Sequence, residues 1–440
     1  MKKYSIFLFT LLIANLIFAQ ENLSKNKAVE ITLENNYDIQ VSNNNVKIAE
    51  NNASIYNSGF LPTLDASTSA GYSDNKNEIS YQDGNFLENK TQVNNYNANV
   101  GVGYLLFNGL GRKYNYKRFQ ELYNLSEIQA QQVIELTLLG LLTSYYEVAR
   151  LTENKVNQFK SLEISKDRLL REKYKYEFGQ NTQLDVLNSE VDINNDSIAY
   201  LDIERQLANT KRDLNLIMGR DVNSPFEVDT IVNYEIALNY DELLASAKEK
   251  NVLLQQAEKS VAISDLDIKI NRSGWLPTVA ANGGLNWNNN HFNADTFNAF
   301  SLKSQNVTGF SGGVSLNWNI FDGGRTKVLV QNAKIAAENS LVQKEQIEKE
   351  LERNMANAWE TYQNALFILQ AEQKNVETNK RNFSRSEEQF KLGQIISVEF
   401  RLAQVNLLNA INNYNRAKYA AKIAELTVLQ LSGKLLGAIY

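Results

Sequence analysis

The side chains that most often carry chemistry are nearly missing from this 440-residue chain. It has no cysteine, three methionines and a single histidine, His291. That excludes thiol nucleophiles, thiolate metal sites and a disulfide scaffold. A Ser-His-Asp relay would have to be built on His291 alone, which falls in an expected polar loop. No G-x-x-x-x-G-K-[ST] loop is present to cradle a nucleotide. No cofactor, metal site or enzyme activity is expected, and a net charge of −5 with no basic block argues against a nucleic-acid partner. Two acids stand out by position. Asp185 and Glu399 each follow a Gly-Gln pair, Gly179-Gln180 and Gly393-Gln394, at the same distance. A carboxylate just past such a turn sits in the first turn of a new helix, where the dipole favours it.

That coincidence is part of a tandem duplication. Gly59-Phe60-Leu61-Pro62 recurs as Gly274-Trp275-Leu276-Pro277, Phe107-Asn108-Gly109 as Phe321-Asp322-Gly323, and Gly219 as Gly433, all offset by about 215 residues. The remaining proline, Pro225, marks the boundary. The expected organisation is a signal peptide at 1–20, one repeat at 21–225 with strands about 63–107, and a second at 226–440 with strands about 278–321. Lys2 and Lys3 precede an apolar run from Ile6 to Phe18 and then Ala19, the layout of a cleaved leader. No other segment has the apolar run of about 18 residues that suggests a transmembrane helix. A membrane location for the mature chain therefore requires β-strands.

Within each repeat, glycine and proline are confined to a few junctions, as long helices require. The spacing predicts helices at about 23–58, 110–177 and 183–217, then 241–272, 325–390 and 397–431. The longest is nearly 70 residues, or ~100 Å at 1.5 Å per residue. A 4-3 apolar spacing runs through Leu138, Leu142, Tyr145, Ala149, Thr152, Val156 and Phe159, and through Leu351, Met355, Ala358, Tyr362, Ala365 and Leu369, the mark of coiled-coil packing. Between helices the period becomes two. Leu64, Ala66, Thr68, Ala70 and Tyr72 alternate with small polar residues, as do Tyr96 to Tyr104, Val279 to Trp287 and Phe310 to Ile320. One face is apolar with aromatics near its ends; the other is Asn, Ser and Gly. Membrane barrel strands read this way; a soluble sheet packed on helices would alternate too. Tyr72, Tyr104, Trp275, Trp287 and Trp318 are the candidate interfacial girdle. Four strands cannot close a barrel, so the chain is expected to associate. A dimer gives eight strands and a filled interior, a trimer twelve and a lumen. The small inward residues favour the trimer. Polar stretches at about 74–92 and 288–307 are expected as outer loops.

With these landmarks in order, residues 22–434 resemble the TolC family of outer-membrane efflux and secretion ducts. The resemblance rests on the Phe-Leu-Pro and Trp-Leu-Pro junctions, Phe-Asn-Gly and Phe-Asp-Gly-Gly-Arg, and the Gly-Gln turns followed by Asp185-Val186-Leu187 and Glu399. It implies a mainly α fold with a membrane β-barrel: a homotrimeric 12-stranded barrel in the outer membrane of a Gram-negative bacterium, on a 12-helix periplasmic α-barrel. It implies outer-membrane lipid as surroundings and, as partners, a periplasmic adaptor and, indirectly, an inner-membrane pump of the RND, ABC or a similar class. Phe178, Gly179, Gln180, Leu392, Gly393 and Gln394 become the adaptor-contacting tip. Asp185 and Glu399 become the periplasmic gate, with Leu402 where the family often has a second acid. The arginine expected after the second tip glycine is replaced by Ile395, so the gate would be partly hydrophobic, and Arg401 is the candidate substitute link. Glu399 read simply as a solvated helix N-terminal acid is the plainer alternative. For the whole chain, the competing reading is a secreted structural or adhesive coiled-coil rod. It accounts for the heptads but not for the paired strands.

Overall fold

The computed structural model describes residues 21–234, 238–294 and 302–439, so the expected leader at 1–20 lies outside the described residues. In chain order the elements are β1 (Glu21–Leu23), α1 (Lys25–Asn35), α2 (Tyr37–Asn52), β2 (Thr63–Ser80), β3 (Phe86–Asn108), α3 (Gly111–Glu177) and α4 (Gln183–Ile217). Then come β4 (Phe226–Val228), α5 (Tyr240–Lys250), α6 (Val252–Arg272), β5 (Thr278–Ala294), β6 (Ser304–Asn317), α7 (Arg325–Lys391), α8 (Ser397–Leu431) and α9 (Leu435–Ile439). They divide into two compact units. One holds Val46–Ser126 with Glu258–Gln343; the other holds the described residues of Met1–Asn45, Glu127–Ala257 and Lys344–Tyr440.

The first unit is built on an antiparallel sheet in the order β2-β3-β5-β6. Its register aligns side chains in rows across all four strands. Asp65, Gly101, Gly284 and Ser311 form one row, and Ala66, Val100, Leu285 and Phe310 the next. Since successive side chains point to opposite faces, one face collects Asn, Ser and Gly and the other the apolar residues. The asparagines bond one another, as Asn95 Nδ2 does to Asn290 Oδ1 at 2.7 Å. Every residue of β2 and β6 is exposed, and both strands are sheet edges.

The strands are longer than hydropathy suggested. Most of 74–92 is strand, with a short turn at 81–85, and β5 carries through His291 to Ala294, so His291 pairs with Asn94 rather than lying in a loop. Residues 295–301 of the second expected loop lie outside the described ones. The extension is polar: Lys76 reaches Glu88 at 3.0 Å and Lys90 reaches Asp74 at 3.6 Å across β2 and β3. Cross-strand ion pairs hold a ladder as apolar pairs do, and an apolar alternation cannot register them. At the other end β6 stops at Asn317, short of 321, because its partner β5 begins opposite it at Thr278.

The second unit has two apolar cores. Leu138, Leu142, Tyr145 and Ala149 of α3 pack with Leu23, Val29, Leu214 and Phe226; Leu351, Met355 and Tyr362 of α7 pack with Leu243 and Val428. The expected helices at 23–58 and 241–272 are each broken once, at Asn36 and Asn251, by the same device. Asn36 accepts from Ile39 N–H and donates to Ile217 O; Asn251 accepts from Leu253 N–H and donates to Leu431 O. Each asparagine starts one helix while satisfying a carbonyl at the end of another. Gly219 and Gly433 (φ 67° and 68°) lie against these joints, and a Cβ on Gly219 would be 2.2 Å from Asn35 O. The seam expectation holds through Ala149 and fails at Val156 and Phe159, which are 49% and 48% exposed.

Candidate functional site

Both long helices end in the same turn. Gly179 and Gly393 sit at φ 70° and 71°. Gln180 N–H donates to Lys175 O at 2.7 Å, and Gln394 N–H to Gln389 O at 2.8 Å. This is the glycine-terminated helix end in which a left-handed residue lets the chain reverse. Nothing lies within 4 Å of a Cβ built on either glycine. Conformation, then, and not space, dictates glycine here. The turns project Phe178 and Leu392, 77% and 72% exposed, together with the exposed Gln180 and Gln394.

The two acids begin the returning helices. Thr182 donates to Asp185 Oδ2 from its N–H at 3.0 Å and from its hydroxyl at 2.7 Å. Those bonds hold the Asp185 carboxyl below the ordinary carboxylate range. Glu399 Oε2 accepts from Ile396 N–H at 3.3 Å, but Ile396 offers no hydroxyl, so only half of the reciprocal cap forms. Glu399 and Leu402 (61% exposed) share one face of α8 with Val398. The opposite face, Phe400, Ala403 and Gln404, is buried. Phe400 stacks on Phe390 at 4.7 Å between ring centroids and 3° between planes.

What the apolar search missed is a second seam. Below Leu151, apart from Leu162, the buried positions of α3 are Asn154, Gln158, Ser161, Ser165, Arg168 and Glu172. Their spacing is 4-3-4-3-4, a heptad written in polar residues. Arg401 of α8 docks on it. Its guanidinium makes a two-pronged bond to Asp196 of α4 (2.7 and 2.8 Å), reaches Ser165 Oγ at 3.2 Å, and lies 3.5 Å from Asp192. Arg168 pairs with Asp192, Ser165 Oγ donates to Asp196 at 2.6 Å, and Gln404 donates to Ser161 O at 2.7 Å. Further along, Asn415 meets Asn154 at 2.9 Å and Lys418 meets Glu153 at 2.7 Å. Arg401 thus fastens the second repeat's returning helix to both helices of the first. The signal was present in sequence as a polar residue every third or fourth position.

The junction motifs do local work. Asn108 and Asp322 cap the long helices, accepting from Arg112 N–H at 3.1 Å and Thr326 N–H at 2.7 Å. Arg112 also donates to Gly59 O and Leu105 O and lies 4.3 Å over the Phe60 ring, which ties the two junction motifs of the first repeat together. Of the expected girdle, Tyr72 and Tyr104 are strand residues on the apolar face. Trp287 lies one row inside the row of Ala70 and Tyr96, and Trp275 precedes the sheet. Trp318 follows the sheet and donates from Nε1 to Trp275 O at 3.1 Å. No group of acidic or histidine side chains among the described residues is arranged to hold a metal ion. No described helix is long and apolar enough to cross a membrane.

The sequence profile described as "Outer membrane efflux protein" matches residues 28–220 and 243–434. Outer membrane protein TolC of Vibrio cholerae is 24% identical over 305 residues, 68% of each chain. Among solved structures, the Campylobacter jejuni CmeC outer membrane channel superposes with a TM-score of 0.77 at 16% identity, covering 93% of this chain and 86% of that one. VceC, an outer membrane protein from Vibrio cholerae, gives 0.71 at 14%, covering 93% and 96%. With the profile matched across both repeats and the fold shared nearly end to end, the chain belongs to the outer membrane efflux protein family.

Proposed function

We propose that the chain is the outer-membrane exit duct of a tripartite efflux or type I secretion system, a passive conduit working as a homotrimer. The observation that carries this is the uncovered sheet. Its edges, β2 of 18 residues and β6 of 14, are unpaired and exposed throughout. Long open edges are an aggregation hazard unless another strand covers them. Three copies joined edge to edge give twelve strands closed on themselves. The outer face of such a barrel is apolar from the Val279–Leu316 row to the Trp287–Thr308 row, a rise of eight residues along β6, and the next row sets Ala70 and Tyr96 beside Asn289 and Asn306. At ~3.4 Å per residue and a tilt near 40° that band is about 21 Å tall, and the Ala70–Tyr96 row brings it to about 26 Å, against the ~25 Å expected of membrane barrels. Beyond it the same face turns charged at Asp74, Lys76 and Glu78.

In this reading residues 1–20 are removed on export and the repeats span 21–225 and 226–440. Tyr72, Tyr104, Trp275, Trp287 and Trp318 lie toward the lipid headgroups. The helices stand in the periplasm, where Phe178, Gly179, Gln180, Leu392, Gly393 and Gln394 meet an adaptor that recruits an inner-membrane pump. Asp185, Glu399 and Leu402 line the entrance, and the Arg401–Asp196 link holds it shut. Electron microscopy of the detergent-solubilised mature protein tests this. A three-fold hollow cylinder is expected; a stable monomer or a solid rod refutes it.

A further inference from the structure

Beside β1 lies a cavity of about 260 Å³ that plays no part in conduction as read above. Its rims are pinned by Tyr145, whose hydroxyl donates to Leu23 O at 2.9 Å and accepts from Asp229 N–H at 3.1 Å. Three features of its wall favour an acceptor. Lys25 is the first residue of α1, where the helix dipole already presents its positive end. It is half-buried and ion-paired to no carboxylate among the described residues. Lys422 faces the same space, its charge answered by Glu425 at 2.5 Å. Tyr146 is 4% exposed, and its ring is held by Tyr145 at 5.7 Å and Tyr419 at 5.9 Å. Its hydroxyl has no hydrogen-bond partner among the described residues and is accessible from the cavity, free to donate to an acceptor there.

Donors therefore outnumber acceptors. The Lys25 ammonium, the Tyr146 O–H and the open N–H groups of a helix start converge, with the paired Lys422 beside them. Two carboxylates lie near these donors: Asp229 already accepts from Ile231 N–H at 2.9 Å, and Glu425 is held by Lys422. A helix N-terminus with a lysine is a common anion cradle; here the unpartnered Tyr146 hydroxyl joins it. We propose that this cavity binds a small oxyanion, of the size of phosphate or a short dicarboxylate, which joins β1, the segment after β4, α3 and α8. The proposal does not depend on the duct reading.

The test is isothermal titration calorimetry of the mature, detergent-solubilised protein with sodium phosphate and separately with sodium succinate, against sodium chloride at equal ionic strength. One saturable site per chain is expected for at least one of the two, and which one binds fixes the class. Tyr146→Phe and Lys25→Gln should each weaken it roughly tenfold, the loss of one strong hydrogen bond. Far-UV circular dichroism and oligomer size should stay unchanged. Absence of saturable heat beyond chloride refutes the proposal. So does unchanged affinity in both folded variants.

Discussion

Replacing Arg401 with leucine should loosen the start of α8 far more than any other single change there. The Arg401 side chain is 16% exposed and Asp196 7%. Without the guanidinium, Asp196 keeps the Ser165 hydroxyl but loses its cation. Stranding a buried charge in this way costs about 3–5 kcal/mol; the partial exposure of Arg401 puts the expectation at the low end, about 3 kcal/mol. Hydrogen exchange of amides between Phe400 and Leu408 reads this as a local opening, so exchange should quicken about a hundredfold. Asp196→Asn alone removes the charge and should cost less. Combining the two should recover part of the loss, with a coupling energy of about 1.5–3 kcal/mol. In the proposed trimer three such links act together, so Arg401→Leu should also raise single-channel conductance in planar bilayers. If exchange changes by less than about threefold, or if the two substitutions add within about 0.5 kcal/mol, Arg401 is surface decoration and the link is not what holds the helices.

The remaining expectations follow from the same geometry. Gly219→Ala must place a methyl against Asn35 O at positive φ and should destabilise by at least about 3 kcal/mol, whereas Gly179→Ala, in open space, should cost only about 1–2 kcal/mol; thermal unfolding of the two separates steric from conformational demand. Glu135 is 2% exposed with Oε2 unbonded, and burial raises its carboxyl above the ordinary value. Because the folded state resists its ionisation, its penalty is absent below the unfolded pKa near 4.3 and grows as pH rises toward the folded value. Glu135→Gln should therefore raise the melting temperature at pH 7 and leave it unchanged near pH 3. Lipids brominated deep in the chain should quench a single-tryptophan variant keeping Trp287 more strongly than one keeping Trp318, and should leave Trp359 of α7 unquenched; equal quenching of all three would contradict the proposed membrane band.

The duplication, the six long helical spans and the location of the sheet were legible because each depends on a local signal: a glycine turn, a proline junction, a change of period. What escaped was held by partners distant in sequence. Asn36 and Asn251 look like unremarkable helix residues until Ile217 O and Leu431 O are placed beside them. The strand residues 74–80 and 86–92 are too polar for an apolar alternation, yet Lys76 and Glu88 pair across the turn. The tip turns were readable from Gly179 and Gly393, since one residue there fixes the backbone. Asp185 and Glu399 were found as repeat mates, but their difference was not. One has a threonine to share the cap, the other an isoleucine. Arg401 stood out only as a cation near the expected gate, because its partners lie more than two hundred residues away.

The polar seam explains why one helix is written in two styles. From Leu138 to Leu151, α3 buries aliphatic and aromatic side chains, and from Asn154 to Glu172 it buries amides, hydroxyls and ions around the single apolar Leu162. Separating the first kind exposes apolar surface to water at roughly 1.5–3 kcal/mol per large side chain, with nothing returned. Separating the second kind exchanges protein hydrogen bonds for bonds to water, a net loss of only about 0.5–1.5 kcal/mol each. Polar pairs also demand a register, since Arg401 satisfies Asp196 in one alignment only. The apolar half therefore resists opening, whereas the polar half closes in a single arrangement and reopens cheaply once wetted. The proposed conduit, sealing and unsealing at the ends of its helices, would need that division. An apolar seam continued to Glu172 would give a more stable protein and a worse gate. Substituting Ser161, Ser165 and Gln404 together by leucine should accordingly raise the melting temperature while lowering the open probability. A triple variant that opened as readily as the parent would show that the seam's polarity serves register alone.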